Sequence, residues 1–343
     1  MTITKQWLTF AEGMATQAEG LTASVRQTRD WLAAGGAEAL RGRSLLFAGI
    51  GASYAAAATP VYALRQAGVS AYRSACSDIP DDGPSLAEVY VGISQGGRSR
   101  ETLQALLTVP RERRVAVVNN VDSPLAGEAG TVVSVGDLPD SSMSSVGFTA
   151  TVATLGMLAE WIATGATDRA WDNIGTLAET LIEDNDDALR AFATEIGSRG
   201  TVDVVAAAAN LTSAEQGALL FREGPAQPSM AMDTRSYLHG PMDCAGPTSH
   251  ILIGRRREGL LAEQLSEKNV PILLITDEEV SAPASIIRIP ALPAAQRSIL
   301  EVALLQRLVQ HTAAALGRDI EARAFTRLDT KVDSVQQVID GTL

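Results

Sequence analysis

The chain has 343 residues, 46% of them hydrophobic and 20% charged, enough apolar content for one large globular domain or two of ordinary size. With 28 Lys and Arg against 40 Asp and Glu, its net charge of −12 repels phosphate backbones and argues against a nucleic-acid partner. Two cysteines, Cys76 and Cys244, are too few and too far apart for a disulfide framework or a zinc site; no strictly apolar run of 18 residues and no basic-then-apolar leader is present, so a cytoplasmic protein with no membrane partner is expected.

From Thr4 to Ala34, Trp7, Phe10, Met14, Leu21, Val25 and Trp31 recur at near-helical spacing, which predicts a helical segment over residues 1–35. After Gly35-Gly36 the period changes, and short β-rich runs beginning near Ser44, Ser70, Glu88, Arg114 and Thr131 alternate with Ala- and Leu-rich helical stretches. Runs this apolar between helices indicate a parallel sheet covered on both faces. An apolar helix is predicted from Phe148 to Thr164 and an acidic one from Asp168 to Ser198, with Trp171, Leu177, Leu181, Leu189 and Phe192 on its apolar side. The strand pattern then returns near Val202, Pro228, Ser249, Pro271 and Ser285. Starts are separated by 26, 18, 26 and 17 residues in the first set and by 26, 21, 22 and 14 in the second, which predicts two copies of one five-stranded α/β unit. The copies occupy residues 36–165 and 199–317, with a helical junction at 166–198; the second closes on an amphipathic helix from Ile299 to Leu316, and an irregular polar tail fills 318–343.

Three short segments carry the chemistry. Phe47-Ala48-Gly49-Ile50-Gly51-Ala52-Ser53-Tyr54 runs from a strand through a glycine turn into a helix. It is no dinucleotide fingerprint, because bulky Tyr54 stands at the third glycine position, and it lacks the last glycine of a serine-hydrolase elbow. What remains is a βα turn at the carboxyl edge of a sheet, with Ser53 and backbone N–H groups facing an anion. After the third strand, Ser94-Gln95-Gly96-Gly97-Arg98-Ser99 opens a helix; its glycines let the backbone fold around a tetrahedral anion while Ser94 and Ser99 donate to the oxygens. The Gly-Lys-Ser/Thr ending of a Walker loop is absent. In the second half, a helix over Ala214–Glu223 is stopped by Gly224-Pro225, and His239-Gly240-Pro241 follows. A carboxylate closing a helix sits at the negative end of the dipole, which with partial burial suits Glu223 to a general base. His250, beside an apolar strand, His311 and the short basic clusters at Arg111–Arg114 and Arg255–Arg257 read as structural or solvated.

These residues resemble the sugar isomerase (SIS) domain proteins, in the double-SIS group that includes the isomerase half of glucosamine-6-phosphate synthase, amino-sugar-phosphate deaminases and fructosamine-6-phosphate deglycases. Ser94-Gln95 with Gly97 and Ser99 looks like the family's Ser-Gln-Ser-Gly-x-Thr phosphate loop, and Asn120–Ala126 is similar to the segment after its fourth strand. Glu223 and His239-Gly240-Pro241 stand at the family's spacing, and Leu328-Asp329-Thr330-Lys331-Val332 resembles its C-terminal Leu-x-Lys-x-Val motif. The resemblance covers nearly the whole chain. It implies an α/β fold of two SIS domains, each a five-stranded parallel sheet flanked by helices in a three-layer, flavodoxin-like arrangement.

It further implies a phosphate site of Ser53, Ser94, Gln95 and Ser99 with Ser144 or Ser145. Glu223 would move a proton between C1 and C2 of an open-chain sugar through an enediol or enamine, His239 would open the ring, Lys331 would stabilise developing negative charge or engage the carbonyl carbon, and the tail would close the site. Proton transfer α to a carbonyl needs one base and one electrophile, and neither a metal nor a cofactor is expected. In relatives the histidine enters from a second subunit, so the expected partners are a small sugar phosphate and a second copy of the chain. Gly96 replaces a serine of the family loop, with Arg98 able to compensate, and Ser236 and Leu238 replace the Glu and Lys that precede His-Gly-Pro in the synthases. Because the sequence starts without a glutaminase domain or an N-terminal cysteine nucleophile, an isomerase, deaminase or deglycase is expected rather than a synthase. The alternative is a sensor that binds sugar phosphate without turnover.

Overall fold

Ten strands form where apolar runs fall between turns, each beginning within about a residue of the position read from the sequence. The computed structural model describes residues 7–82 and 84–341. The part of the predicted N-terminal segment at residues 1–6 and the last two residues of the tail lie outside the described residues.

In chain order, α1 (Phe10–Ala15), capped by a Thr9–Glu12 box, and α2 (Gln17–Ala33) precede β1 (Leu45–Gly49). Then come α3 (Ala52–Ala56), α4 (Ala58–Gln66), β2 (Ala71–Ala75), β3 (Val89–Ile93), α5 (Arg100–Leu107), β4 (Arg114–Val118), α6 (Pro124–Glu128), β5 (Thr131–Ser134) and α7 (Val146–Thr164). The second half runs α8 (Ile174–Gly197), β6 (Thr201–Ala206), α9 (Leu211–Glu223), β7 (Ser229–Asp233), α10 (Thr234–Leu238), β8 (Thr248–Ile253), α11 (Arg256–Ser266), β9 (Ile272–Thr276), β10 (Ser285–Arg288), α12 (Ala294–Ala315) and α13 (Gln336–Ile339). Contacts divide the chain into two compact units that interleave along the sequence. One comprises Glu19–Pro139, Val146–Asn173 and Ala324–Leu343; the other comprises Met1–Ala18, Asp140–Ser145 and Ile174–Arg323.

The first unit holds a parallel sheet in the order β2-β1-β3-β4-β5. β1 and β3 are buried along their whole length, as central strands covered on both faces must be. Leu46, Ala48, Tyr90, Ala116 and Val118 meet Leu103, Leu106 and Leu125 of α5 and α6 on one face. Gly92 has no room for a Cβ, which would lie 2.9 Å from Leu106, so α5 sits close against the sheet. The crossovers β1-α3-α4-β2 and β3-α5-β4 run in opposite directions, and right-handedness puts their helices on opposite faces; α3 and α4 pack against α7. By length and composition α7 could cross a membrane, since its threonines and glycines complete an apolar stretch, yet 83% of that stretch is buried inside the protein.

The second unit repeats the arrangement in the order β10-β9-β8-β6-β7. α9 packs against α12, which packs against α8; Gly217 lets Leu305 approach to 2.9 Å of where its Cβ would be. On the opposite face Val205, Leu252 and Leu274 pack with Tyr237 of α10 and Leu261 and Leu265 of α11. The tail is not irregular throughout: it contains α13, and Val332, 1% exposed, joins the core of the first sheet.

Candidate active site

In the first unit, chain order reverses between β1 and β3, and open α/β sheets bind ligands at the carboxyl edge of such a switch point. Both candidate anion segments lie there. Gly49 allows the first turn to close, since a Cβ would stand 2.8 Å from the Ser53 carbonyl carbon. Gly51 enters α3 at φ +57° and Ser53 is half-buried. Tyr54 turns towards β2, where the Arg73 guanidinium lies 4.3 Å from its ring centroid.

The loop after β3 is closed by its own backbone. The Gly97 N–H donates to the Ser94 carbonyl at 2.9 Å, and the Asn119 N–H donates to the Gln95 carbonyl at 2.8 Å. The Ser99 N–H donates to Ser94 Oγ at 3.4 Å. Gly97 takes φ +62°, and a Cβ would fall 1.9 Å from Ser123 Oγ, so the position admits only glycine. Gly96, by contrast, has open space where a Cβ would be. Ser99 is the N-cap of α5 but makes no side-chain capping bond; its hydroxyl donates to Glu101 at 3.1 Å.

The tail reaches this loop. Lys331 forms an antiparallel bridge with Ser99, the Val332 N–H donates to the Arg98 carbonyl at 2.9 Å, and the Arg100 N–H donates to the Thr330 carbonyl at 3.3 Å. Arg100 pairs with Asp329 at 2.6 Å. Arg98 donates to the Val332 carbonyl at 3.1 Å and pairs with Asp333, so it serves the tail rather than replacing the hydroxyl missing at Gly96. Lys331 keeps exposed surface, yet the atoms crowded round its ammonium hold it below the ordinary lysine range; Arg327 and Arg98 add repulsion, and Glu101 opposes them. Ser53, Ser94, Gln95, Ser99 and Lys331 thus share one edge of one sheet.

Ser144 and Ser145 cluster with the second unit. Ser145 is fully buried with its hydroxyl 2.9 Å from Asp140 and 3.0 Å from Ser141, which removes it from the side chains that face a ligand. Ser144 is half-buried and donates to Asp140 at 2.7 Å. In the same unit Glu223 is the last residue of α9 and half-buried, and His239 is exposed just past α10, before Gly240 at φ +144°. The crossovers that carry them leave β6 and β7 in opposite directions, so α9 and α10 lie on opposite faces of the second sheet. The packing agrees, α9 with α12 and Tyr237 with Leu261 and Leu265 of α11. One chain therefore does not bring Glu223 and His239 together.

The switch point of the second sheet is filled by its own side chains. Asn210 Nδ2 donates to the Ile253 carbonyl at 3.4 Å, and Glu258 accepts from the Arg255 N–H at 3.0 Å and from Thr234 Oγ1 at 2.7 Å. Arg255 is exposed, as read, and also paired: it makes a two-pronged contact of 2.8 and 2.7 Å with the Asp277 carboxylate, which also receives Arg297 at 2.9 Å. Only its carboxylate partner, 22 residues on, could have signalled this. Among the described residues, no group of three or more His, Cys, Asp or Glu side chains gathers at metal-binding distance.

No family model matches the sequence, and no curated protein matches it. Solved structures do. The C-terminal domain of glucosamine-fructose-6-phosphate aminotransferase from Francisella tularensis aligns at a TM-score of 0.81 and 16% identity over 94% of this chain and 100% of that one. A glucosamine-6-phosphate deaminase from Thermotoga maritima aligns at 0.76 and 16% identity over 93% and 98%. A tagatose-6-phosphate ketose/aldose isomerase from Escherichia coli aligns at 0.76 and 13% identity over 96% and 99%. At these identities the likeness establishes the fold: the chain has the architecture of two SIS domains, two five-stranded parallel sheets flanked by helices.

Proposed function

We propose that this protein is a phosphosugar isomerase, or a deaminase or deglycase of an amino-sugar phosphate, acting by proton transfer between C1 and C2. The observation that carries the reading is the backbone pairing of Ser99 with Lys331, which sets a cation of lowered pKa beside the candidate anion loop at a sheet switch point. In this reading Ser53, Ser94, Gln95, Ser99 and the uncapped first turn of α5 hold the phosphate, which takes no part in the reaction but supplies binding energy for orientation. His239 opens the ring by moving a proton from the anomeric hydroxyl to O5. Glu223 removes the proton at one carbon and returns it to the neighbour through an enediol or enamine, while Lys331 stabilises the negative oxygen of the intermediate. Ser144 stays in the proposed phosphate set; Ser145 does not.

Because Glu223 and His239 lie on opposite faces of one sheet, the reading requires a homodimer in which each site takes His239 from the partner. Solved structures of the same fold include a glucosamine-6-phosphate deaminase and a tagatose-6-phosphate ketose/aldose isomerase, which supports the reaction class. Purified protein is incubated with glucosamine, galactosamine and fructosamine 6-phosphates while ketose and ammonia are followed. Turnover of one substrate, abolished in Glu223→Gln with binding retained, is the expected result. A rise in melting temperature without turnover would overturn it in favour of a sensor.

A further inference from the structure

His239 follows a helix of five residues, too short to hold its own direction in water. Asp233 caps that helix, accepting from the N–H groups of Arg235 at 2.9 Å and Ser236 at 3.2 Å. The cap fixes where α10 starts, but nothing in it fixes the rotation of α10 about its own axis. That falls to the side chains α10 turns inward: Thr234, buried and donating to Glu258 at 2.7 Å, Leu238, packed at the edge of the same core, and Tyr237, the largest of the three and the nearest to His239 that makes a polar contact with the sheet. Tyr237 is fully buried and its hydroxyl lies 2.9 Å from Nε2 of His250 on β8. His250 is fully buried as well, and its ring stands edge-on to the tyrosine, with centroids 6.0 Å apart and planes at 67°. Directly across the strand pair, in register with His250, is Asp203 of β6, with a carboxylate oxygen 3.9 Å from the same Nε2.

These polar groups occupy an otherwise apolar face, among Val205, Leu252, Leu261 and Leu274. Their burial is costly. His250 Nδ1 is buried without a hydrogen-bond partner. Desolvation pulls the imidazole down to about 4 and lifts Asp203 to about 6. It also lifts the Tyr237 hydroxyl above the ordinary phenol range, with Asp203 and Cys244 adding repulsion. An apolar pair of similar volume would fill the space without these penalties, but it would not fix an angle. A hydrogen bond between a helix and a central strand does, and His239 is two residues beyond the tyrosine that makes it.

We infer that Tyr237, His250 and Asp203 form a buried positioning network that sets the direction in which α10 presents His239. None of the three touches substrate in the proposed reaction; they act through His239, and the inference rests on the reading of that residue as the ring-opening group.

The chain has three histidines, so the ring signals of protein labelled only at histidine can be assigned by substitution. In Tyr237→Phe, which keeps the ring and removes the hydroxyl, the His239 signal of the resting protein should shift or broaden while that of His311 stays. With a turned-over sugar phosphate in its cyclic form, kcat should fall about tenfold and KM should stay within about twofold. Should Tyr237→Phe fail to fold, His250→Leu, which removes the partner of the phenol, must move the His239 signal in the same way. An unmoved His239 signal in either folded variant overturns the network. A moved signal with unchanged kcat sustains the network and overturns the assignment of ring opening to His239, so the two failures are distinct.

Discussion

Glu301 on α12 is 1% exposed, and its carboxyl is pushed from the ordinary glutamate value of 4.5 up to about 7 by desolvation. Ser213 donates to it and Arg297 stands 3.9 Å away, but Arg297 is already shared with Asp277, so neither removes the cost of burial. In the unfolded chain this carboxyl releases its proton near 4.5; in the folded protein it keeps the proton until about 7. Across that interval the folded state binds the extra proton, so stability falls as pH rises from 4.5 to 7 and levels off above. A difference of about 2.5 pH units at 1.36 kcal/mol each comes to roughly 3 kcal/mol. Glu301→Gln keeps the shape and an acceptor for Ser213 without the ionisation. The variant should equal the wild type near pH 5 and exceed it by about 2–3 kcal/mol at pH 8, less whatever attraction to Arg297 is lost. Urea unfolding of both proteins at the two pH values measures this directly. A stability difference that is the same at pH 5 and pH 8 refutes the reasoning, because only a titrating carboxyl makes the gap depend on pH.

The loop after β3 offers a contrast within two adjacent glycines. Gly97→Ala, forced to φ +62° and into Ser123, should abolish binding of a sugar phosphate or cost about 2–3 kcal/mol of stability, whereas Gly96→Ser, entering open space, should fold normally and bind phosphate more tightly; calorimetric titration of both variants decides. Val332→Ala should cost about 1–3 kcal/mol as a core cavity and should free Lys331 from Ser99, read as faster hydrogen exchange at Val332 and a lower kcat. His250 is pulled from 6.5 to about 4 by burial, so its contribution to stability is intact above pH 6.5 and fades as pH falls towards 4; an acid unfolding midpoint unaltered in His250→Gln would refute this. Glu223→Gln and His239→Ala, each inactive alone, should recover about one quarter of wild-type activity when unfolded and refolded together in equal amounts, since half the dimers are mixed and each mixed dimer has one intact site of two. No recovery in demonstrably mixed dimers would place both residues in the same chain's site.

The two sheets were legible because parallel strands buried on both faces are continuous apolar runs, and runs of about five residues set between turns and longer helical stretches are too short to be buried helices. The runs at Ser44 and Pro271 became β1 and β9 for that reason. The tight turn at Gly97 was legible too, since a glycine at φ +62° beside hydroxyls leaves a local mark. What escaped reading depends on pairs distant in sequence. Lys331 meets Ser99 through backbone bonds that any residues could make, and only the apolar anchor Val332 betrays the docking. Arg255 lies at the surface as read, but nothing near it in sequence names Asp277 as its partner, and Ser145 looks like a ligand hydroxyl until Asp140 claims it. His250 read as structural because a histidine in an apolar strand gives no hint of the tyrosine it faces. The separation of Glu223 from His239 was expected only from the family resemblance, in which the histidine enters from a second subunit. Their spacing in the sequence resembles that of a single site, yet the direction in which each connection leaves its strand sends them to opposite faces of the sheet. Handedness is uniform across parallel crossovers, so once the strand order is known the separation follows without reference to any side chain. Sequence spacing alone cannot supply that order, and it is the order that sends two candidate catalytic residues of one chain to opposite faces of its sheet.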